Sequence, residues 1–233
     1  MSDSSDLYFH QIPVGQMANF SYLVGNRATR EAYLVDPAWS VDALLDQAES
    51  DGMSVVGALV THYHQDHVGG SIFGMDIEGL PRLLERNPVP IHVHEQEAAG
   101  LIQVTGVSES DLVRHSGGDL LEIGSVRVRL LHTPGHTPGS QCFLVEEAAR
   151  PSSLVSGDTL FLGSCGRVDL PGANPEDMYR SLNQVLRALP DETVLYPGHL
   201  YSENPVGTMG DEKRMNPFLR AANLEQFLMF IGA

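Results

Sequence analysis

Four stretches of this chain share one pattern, an apolar run that stops at a histidine or an aspartate. Ser54-Val55-Val56-Gly57-Ala58-Leu59-Val60 runs into Thr61-His62-Tyr63-His64-Gln65-Asp66-His67. Val128-Arg129-Leu130-Leu131 leads into His132-Thr133-Pro134-Gly135-His136-Thr137-Pro138-Gly139-Ser140. Leu154-Val155-Ser156-Gly157 ends at Asp158, and Val194-Leu195-Tyr196-Pro197-Gly198 ends at His199. Short apolar runs punctuated by glycine and proline predict buried strands. Each strand then delivers polar side chains to a loop at its end, where α/β proteins place their chemistry.

The same reading fills in the rest of the chain. Asn19–Gly25 and Glu31–Pro37 predict a hairpin, and Gly117–Leu131 predicts two strands around Ile123-Gly124-Ser125. Val41–Ser50 has Val41, Leu44, Leu45 and Ala48 at helical spacing, with Ser40 as its N-cap. Pro175–Leu189 predicts a second helix capped by Asn174, with Met178, Leu182, Val185, Leu186 and Leu189 facing the core. Between these, Ser71–Val89 carries Ile72, Phe73, Met75, Ile77, Leu80, Leu83 and Leu84, which predict an apolar helix or flap beside the first histidine loop.

Imidazole nitrogens and carboxylate oxygens are ligands that zinc, iron and manganese accept. Four of them within seven residues crowd polar surface for no structural gain, and the buried strand before them argues against a merely solvated loop. His62 and His64 lie two apart, so in extended backbone they face one side and can grip one ion. Asp66 and His67 follow the turn and can face a second position. The ligand count then closes: His62, His64 and His136 for one ion, Asp66, His67 and His199 for another, with Asp158 bridging. His92 and His94 share a face and are expected to be structural. His10, His115 and His132 are isolated in sequence, and none of these five is expected to bind metal. Asp36, at the end of a strand before Pro37, either hydrogen-bonds near the metal loop or shapes the turn.

Composition changes the picture mainly by exclusion. With 233 residues, 42% hydrophobic and 19% charged, the chain can bury a substantial core as a single domain over 1–233. A net charge of −16, from 14 basic and 30 acidic residues, lacks the basic footprint of a nucleic-acid binder. No apolar run approaches the roughly 18 residues that span a bilayer, and Met1–Asp6 is acidic and polar, the opposite of a signal peptide. Cys142 and Cys165 offer no disulfide framework, so a cytoplasmic protein is expected. Its partner is then a small molecule, with neither nucleic acid nor membrane involved and self-association left open.

His62-x-His64-x-Asp66-His67, the histidine of TPGHTPGS, the aspartate of SGDTLF and the histidine of YPGH together resemble the metal motifs of the metallo-β-lactamase fold superfamily. The resemblance runs from about Phe9 to Leu219 and is most similar to the glyoxalase II (hydroxyacylglutathione hydrolase) and persulfide dioxygenase branches. It implies an α/β (α+β) fold, a four-layer αββα sandwich with the metal site at one edge of the two sheets. Gly163-Ser164-Cys165-Gly166-Arg167 resembles the glyoxalase II segment whose basic residue contacts glutathione, which puts Arg167 in that role. Tyr201 matches the tyrosine of the family's GHxY segment, also a glutathione contact. The competing reading has Arg167 paired with Asp169 or Glu176 and Tyr201 simply packed. Only 34 residues follow His199, so 200–233 is expected as a tail without the separate helical domain of longer glyoxalase II enzymes, and 71–90 as an insertion or flap near the site. Lys213, Arg214 and Arg220 are nearby cations with a surface role.

Two chemistries fit these residues. In the hydrolase reading, taken first, two divalent ions, zinc foremost, activate a water that attacks a thioester carbonyl. Asp66 orients the water while ligating the second ion. In the oxygenase reading, one iron per chain sits on His62, His136 and Asp158, a two-histidine, one-carboxylate face open to dioxygen and a persulfide sulfur. Tyr201-Ser202-Glu203 is similar to that branch. Lactonase activity is a further hydrolase variant.

Overall fold

The computed structural model describes residues 5–72, 74–148 and 150–232. The polar start at Met1–Ser4 and the flap residue Phe73 lie outside the described residues. The first sheet is built in chain order from β1 (Leu7–Val14), β2 (Asn19–Asn26), β3 (Glu31–Val35), β4 (Ser54–Leu59), β5 (Ile91–His94) and β6 (Leu112–His115). Its first three strands pair antiparallel and the rest parallel. The parallel crossovers carry the helices that such connections require, α1 (Val41–Ser50), the single turn α2 (Gln65–Val68), α3 (Leu80–Arg86) and α4 (Ala98–Thr105).

The second sheet follows, with β7 (Leu120–Ile123), β8 (Val126–His132), β9 (Gln141–Glu146), β10 (Ser153–Gly157), β11 (Val194–Pro197) and β12 (Gly207–Thr208), again adjacent in chain order. Only β10 and β11 pair in parallel, and the crossover between them holds α5 (Pro175–Arg180). Three helices close the chain, α6 (Met209–Met215), α7 (Pro217–Arg220) and α8 (Leu224–Ile231).

Strand alternation sorts side chains into layers. On β9, Phe143 and Val145 face the first sheet, where they meet Phe20, Tyr22, Val24, Val35 and Leu59. Cys142 and Leu144 of the same strand face the other way, onto Met178, Leu182 and Leu186 of α5 and the turns after it and onto Met209 and Phe227 of the C-terminal helices. The outer face of the first sheet buries Leu23, Leu34 and Ala58 under Val41, Leu44, Leu80, Leu83 and Leu101. Three apolar layers between two sheets and two sets of helices make the αββα sandwich. Among the described residues no helix is long and apolar enough to cross a membrane.

Three sequence expectations change in detail. Ser40 makes no side-chain cap on α1; the Glu78 carboxylate accepts the Val41 backbone N–H instead, at 2.5 Å. The 175–189 helix is capped by Asn174, which accepts from the Asp177 N–H. It is α-helical only to Arg180, widens into a π turn over Ser181–Val185 and tightens again at Leu186–Ala188. The widening begins where the Ser181 hydroxyl donates to the Pro134 carbonyl at 2.7 Å, in the loop that carries His136. Residues 200–233 are not a bare tail, since α6–α8 bury Met209, Leu219 and Phe227 in the outer layer of the second sheet.

Candidate metal centre

Both sheets end at the same edge, and there the four loops converge. His62, His64 and His136 each offer a ligating atom, all within 4.8 Å of one another, and so do Asp66, His67 and His199. His64 Nδ1 and His136 Nε2 lie 3.0 Å apart, and His67 Nε2 and His199 Nε2 3.1 Å apart. Asp158 stands between the two groups. Its Oδ2 lies 3.5 Å from His136 Nε2, while its Oδ1 lies 3.4 Å from the Nε2 atoms of His67 and His199. That approach depends on Gly198, where a Cβ would come within 2.5 Å of Asp158 Oδ1.

The outward ring nitrogens explain why the inward ones are free. His136 Nδ1 donates to the Arg167 carbonyl at 2.8 Å, His199 Nδ1 to the Met17 carbonyl at 2.9 Å and His67 Nδ1 to Asp36 at 3.0 Å. His62 Nδ1 is held by the Thr61 hydroxyl, which itself donates to Asp36. Each ring so fixed presents its Nε2 lone pair inward, as orienting partners do for metal-binding histidines. Buried polar atoms normally find partners. Yet His62 Nε2 and Asp158 Oδ1 are buried with no hydrogen-bond partner. An ion bound by nitrogen and oxygen donors supplies what both lack, so the residues present fit zinc, iron or manganese.

Charge divides the site in two. Burial, reinforced by neighbouring histidines, keeps His62 well below its usual range and pushes His64 down to about 4. Burial also opposes charge on His67 and His199, but Asp66 and Asp158 overcome it and raise both, His199 up to about 9, so an ion that binds there displaces the inward proton of each ring. Burial likewise opposes ionisation of Asp66, which His67, His199 and Asn19 nevertheless keep well below the carboxylate range. His62 and His64 are therefore neutral imidazoles, ready to ligate, while on the other side a pair of carboxylates draws in positive charge.

Three supporting residues lie outside the metal motifs, and only Asp36 among them is singled out by the sequence. Asn19 Nδ2 donates to Asp66 Oδ2 at 2.9 Å. Glu97 is fully buried and accepts the Tyr63 N–H at 2.8 Å and the Gly139 N–H at 2.7 Å, tying the His62–His67 loop to the His136 loop. Asp36 has φ +48° and accepts the Thr61 N–H at 2.8 Å, so of its two readings the hydrogen bond to the metal loop is the one the structure shows. A strand-end aspartate before proline was the available signal for Asp36; Asn19 and Glu97 carry none, because their partners are distant in sequence.

The other histidines lie elsewhere. They are not isolated, since His92 Nδ1 meets His115 Nε2 at 2.8 Å and the rings of His94 and His132 stack at 3.9 Å. Among the described residues these belong to no group of three ligating side chains.

A cavity of about 570 Å³ opens onto the centre. Both expected substrate contacts line it, Arg167 and Tyr201. Tyr201 stacks on the His199 ring at 4.6 Å. The Arg167 guanidinium is engaged by Asp169 through two 2.9 Å hydrogen bonds. Of the Ser71–Val89 stretch, Ile72 reaches the cavity, on a short hairpin of Gly70–Ile72 with Met75–Ile77. Leu80 and Leu83 are core residues of α3 instead. Lys213 and Arg214 are paired with Asp191 and Asp211 at 2.7 and 2.8 Å.

A two-sheet sandwich with ligating side chains at one edge defines a metal-dependent enzyme of the αββα class. Residues 14–199 match the model of the metallo-beta-lactamase superfamily, and the chain belongs to that superfamily. It is 31% identical to a Schizosaccharomyces pombe protein named a probable hydroxyacylglutathione hydrolase, covering 91% of this chain and 86% of that one. The structure resembles that of ETHE1 from Myxococcus xanthus, with a TM-score of 0.79 and 30% identity over 97% of this chain and 90% of that one. It also resembles TTHA1623 in a di-iron-bound form, with a TM-score of 0.69 and 31% identity over 90% of this chain and 99% of that one.

Proposed function

We propose that this chain is a binuclear metal-dependent hydrolase that cleaves the thioester of a small thiol carrier. The observation that carries the reading is Asp158, whose two oxygens face the two ligand groups separately. His62, His64 and His136 would hold one divalent ion and Asp66, His67 and His199 the other, with Asp158 shared and zinc the first choice. Bound there, such ions supply Lewis acidity and bring the pKa of water toward neutrality.

The chain's own residues do the rest. Asp66, held ionised and anchored by Asn19, accepts a hydrogen bond from the attacking water and aims its lone pair at the carbonyl carbon. The water oxygen adds to that carbon, the C–S bond breaks with its electron pair on sulfur, and the sulfur takes a proton. A thioester and water become a carboxylic acid and a thiol. Arg167 and Tyr201 line the cavity wall beside the centre, within reach of the bound thioester.

The likeness to ETHE1 favours a second reading, one iron on His62, His136 and Asp158 acting as a persulfide dioxygenase. Metal content of anaerobically purified protein, with S-D-lactoylglutathione hydrolysis and oxygen uptake on glutathione persulfide measured side by side, decides between them. Two ions per chain with thiol release and no oxygen uptake is the expected result. One iron per chain with oxygen consumption and no hydrolysis overturns it.

A further inference from the structure

We infer that this site selects its substrate by an apolar acyl group, and that Asp169 withdraws the one cation that would hold a carboxylate of the thiol carrier. The inference rests on the hydrolase reading and names its substrate class. Away from the ligands, the cavity wall is mostly apolar, with Met17, Ile72, Phe161, Leu162 and Leu170 outnumbering the polar side chains of Gln65 and Ser164. A wall of this kind gains free energy with each methylene it covers and gives a hydroxyl few partners.

The carrier side points the same way. Among the described residues lining the cavity, Arg167 is the one permanently charged cation. Its Nε and one terminal nitrogen are both used by Asp169, fork to fork at 2.9 Å, leaving a neutral pair at the rim. The one lysine of the chain, Lys213, is bound to Asp191 and the Leu189 carbonyl. With a net charge of −16 the rest of the surface repels an anionic carrier rather than drawing it in. A carrier carboxylate must therefore compete with Asp169 for Arg167. Both partners are about two-thirds exposed, at 67% and 68%, so the barrier is graded rather than absolute.

The test is a grid of four thioesters, lactoyl and hexanoyl on glutathione and on the neutral thiol N-acetylcysteamine, read as kcat/KM on the zinc-loaded protein. The matching inert S-hexyl thioethers are titrated by calorimetry, so that binding is read without turnover. On either carrier hexanoyl should exceed lactoyl by about tenfold or more, and in the unaltered protein the two carriers should differ by less than about threefold. Asp169→Asn should raise the ratio of glutathione to neutral carrier about fivefold, in turnover and in thioether affinity, as release of an exposed ion pair allows. Adding Arg167→Ala should abolish that gain. A preference for lactoyl, a strong glutathione preference in the unaltered protein, or a ratio unmoved by Asp169→Asn overturns the inference. If no thioester is cleaved while the thioethers bind as expected, the hydrolase reading falls and the selectivity stands. Cleavage without the selectivity pattern has the opposite meaning.

Discussion

Asp36 does not line the cavity, yet it holds His67 directly and His62 through Thr61. Asp36→Asn should weaken metal binding about 10–100-fold with little change in fold, the usual cost of removing a partner that orients a ligand. Competition with a chromophoric chelator measures it. Glu97→Gln puts an amide N–H against the Tyr63 or Gly139 N–H, so one buried donor loses its acceptor. It should cost about 1–3 kcal/mol and lower metal occupancy, read by urea unfolding and metal analysis. Conversion to alanine at His62 or Asp158 should abolish metal-dependent activity under either chemistry. At this scale the candidate ligands were legible because four of them sit within one loop and the others end apolar strands. Asn19 and Glu97 were not, because a buried amide or carboxylate announces itself only through partners brought close by folding.

The strands that carry the ligands were equally legible as elements, since an apolar run bounded by glycine and proline is a local signal. What escaped was the way elements borrow from one another. Ser40 has the residue type of an N-cap, but the Glu78 carboxylate reaches the start of α1 from the segment before α3. Glu78→Ala should therefore destabilise by about 1 kcal/mol while Ser40→Ala stays within a few tenths. Chemical denaturation of the two variants makes the comparison. The π turn at Ser181–Val185 was hidden for the same reason, since residue spacing does not register a hydroxyl drawn to the His136 loop.

At the scale of the molecule, the alternation of Phe143 and Val145 against Cys142 and Leu144 builds two apolar layers from one strand. Phe143→Ala should cost about 3–5 kcal/mol, far more than a substitution at the exposed Arg127, and thermal unfolding would show it. Stripping metal with a chelator should lower the melting temperature, and adding zinc should restore it, because ions that bind only the folded state stabilise by mass action. The layered plan followed from the family resemblance rather than from strand patterns alone, which name neighbours along the chain but not faces across the core.

Strands adjacent in each sheet are adjacent in the chain, and this has a consequence for how the protein is made. Residues 7–115 contain every strand of the first sheet, so its pairings can form before the second sheet has left the ribosome. The centre cannot, because it joins Asn19 and His62 to His136, Asp158 and His199. Metal capture is then the last event of assembly. Pulse-labelled hydrogen exchange should find β2–β5 protected ahead of β10–β11, with ion uptake following both.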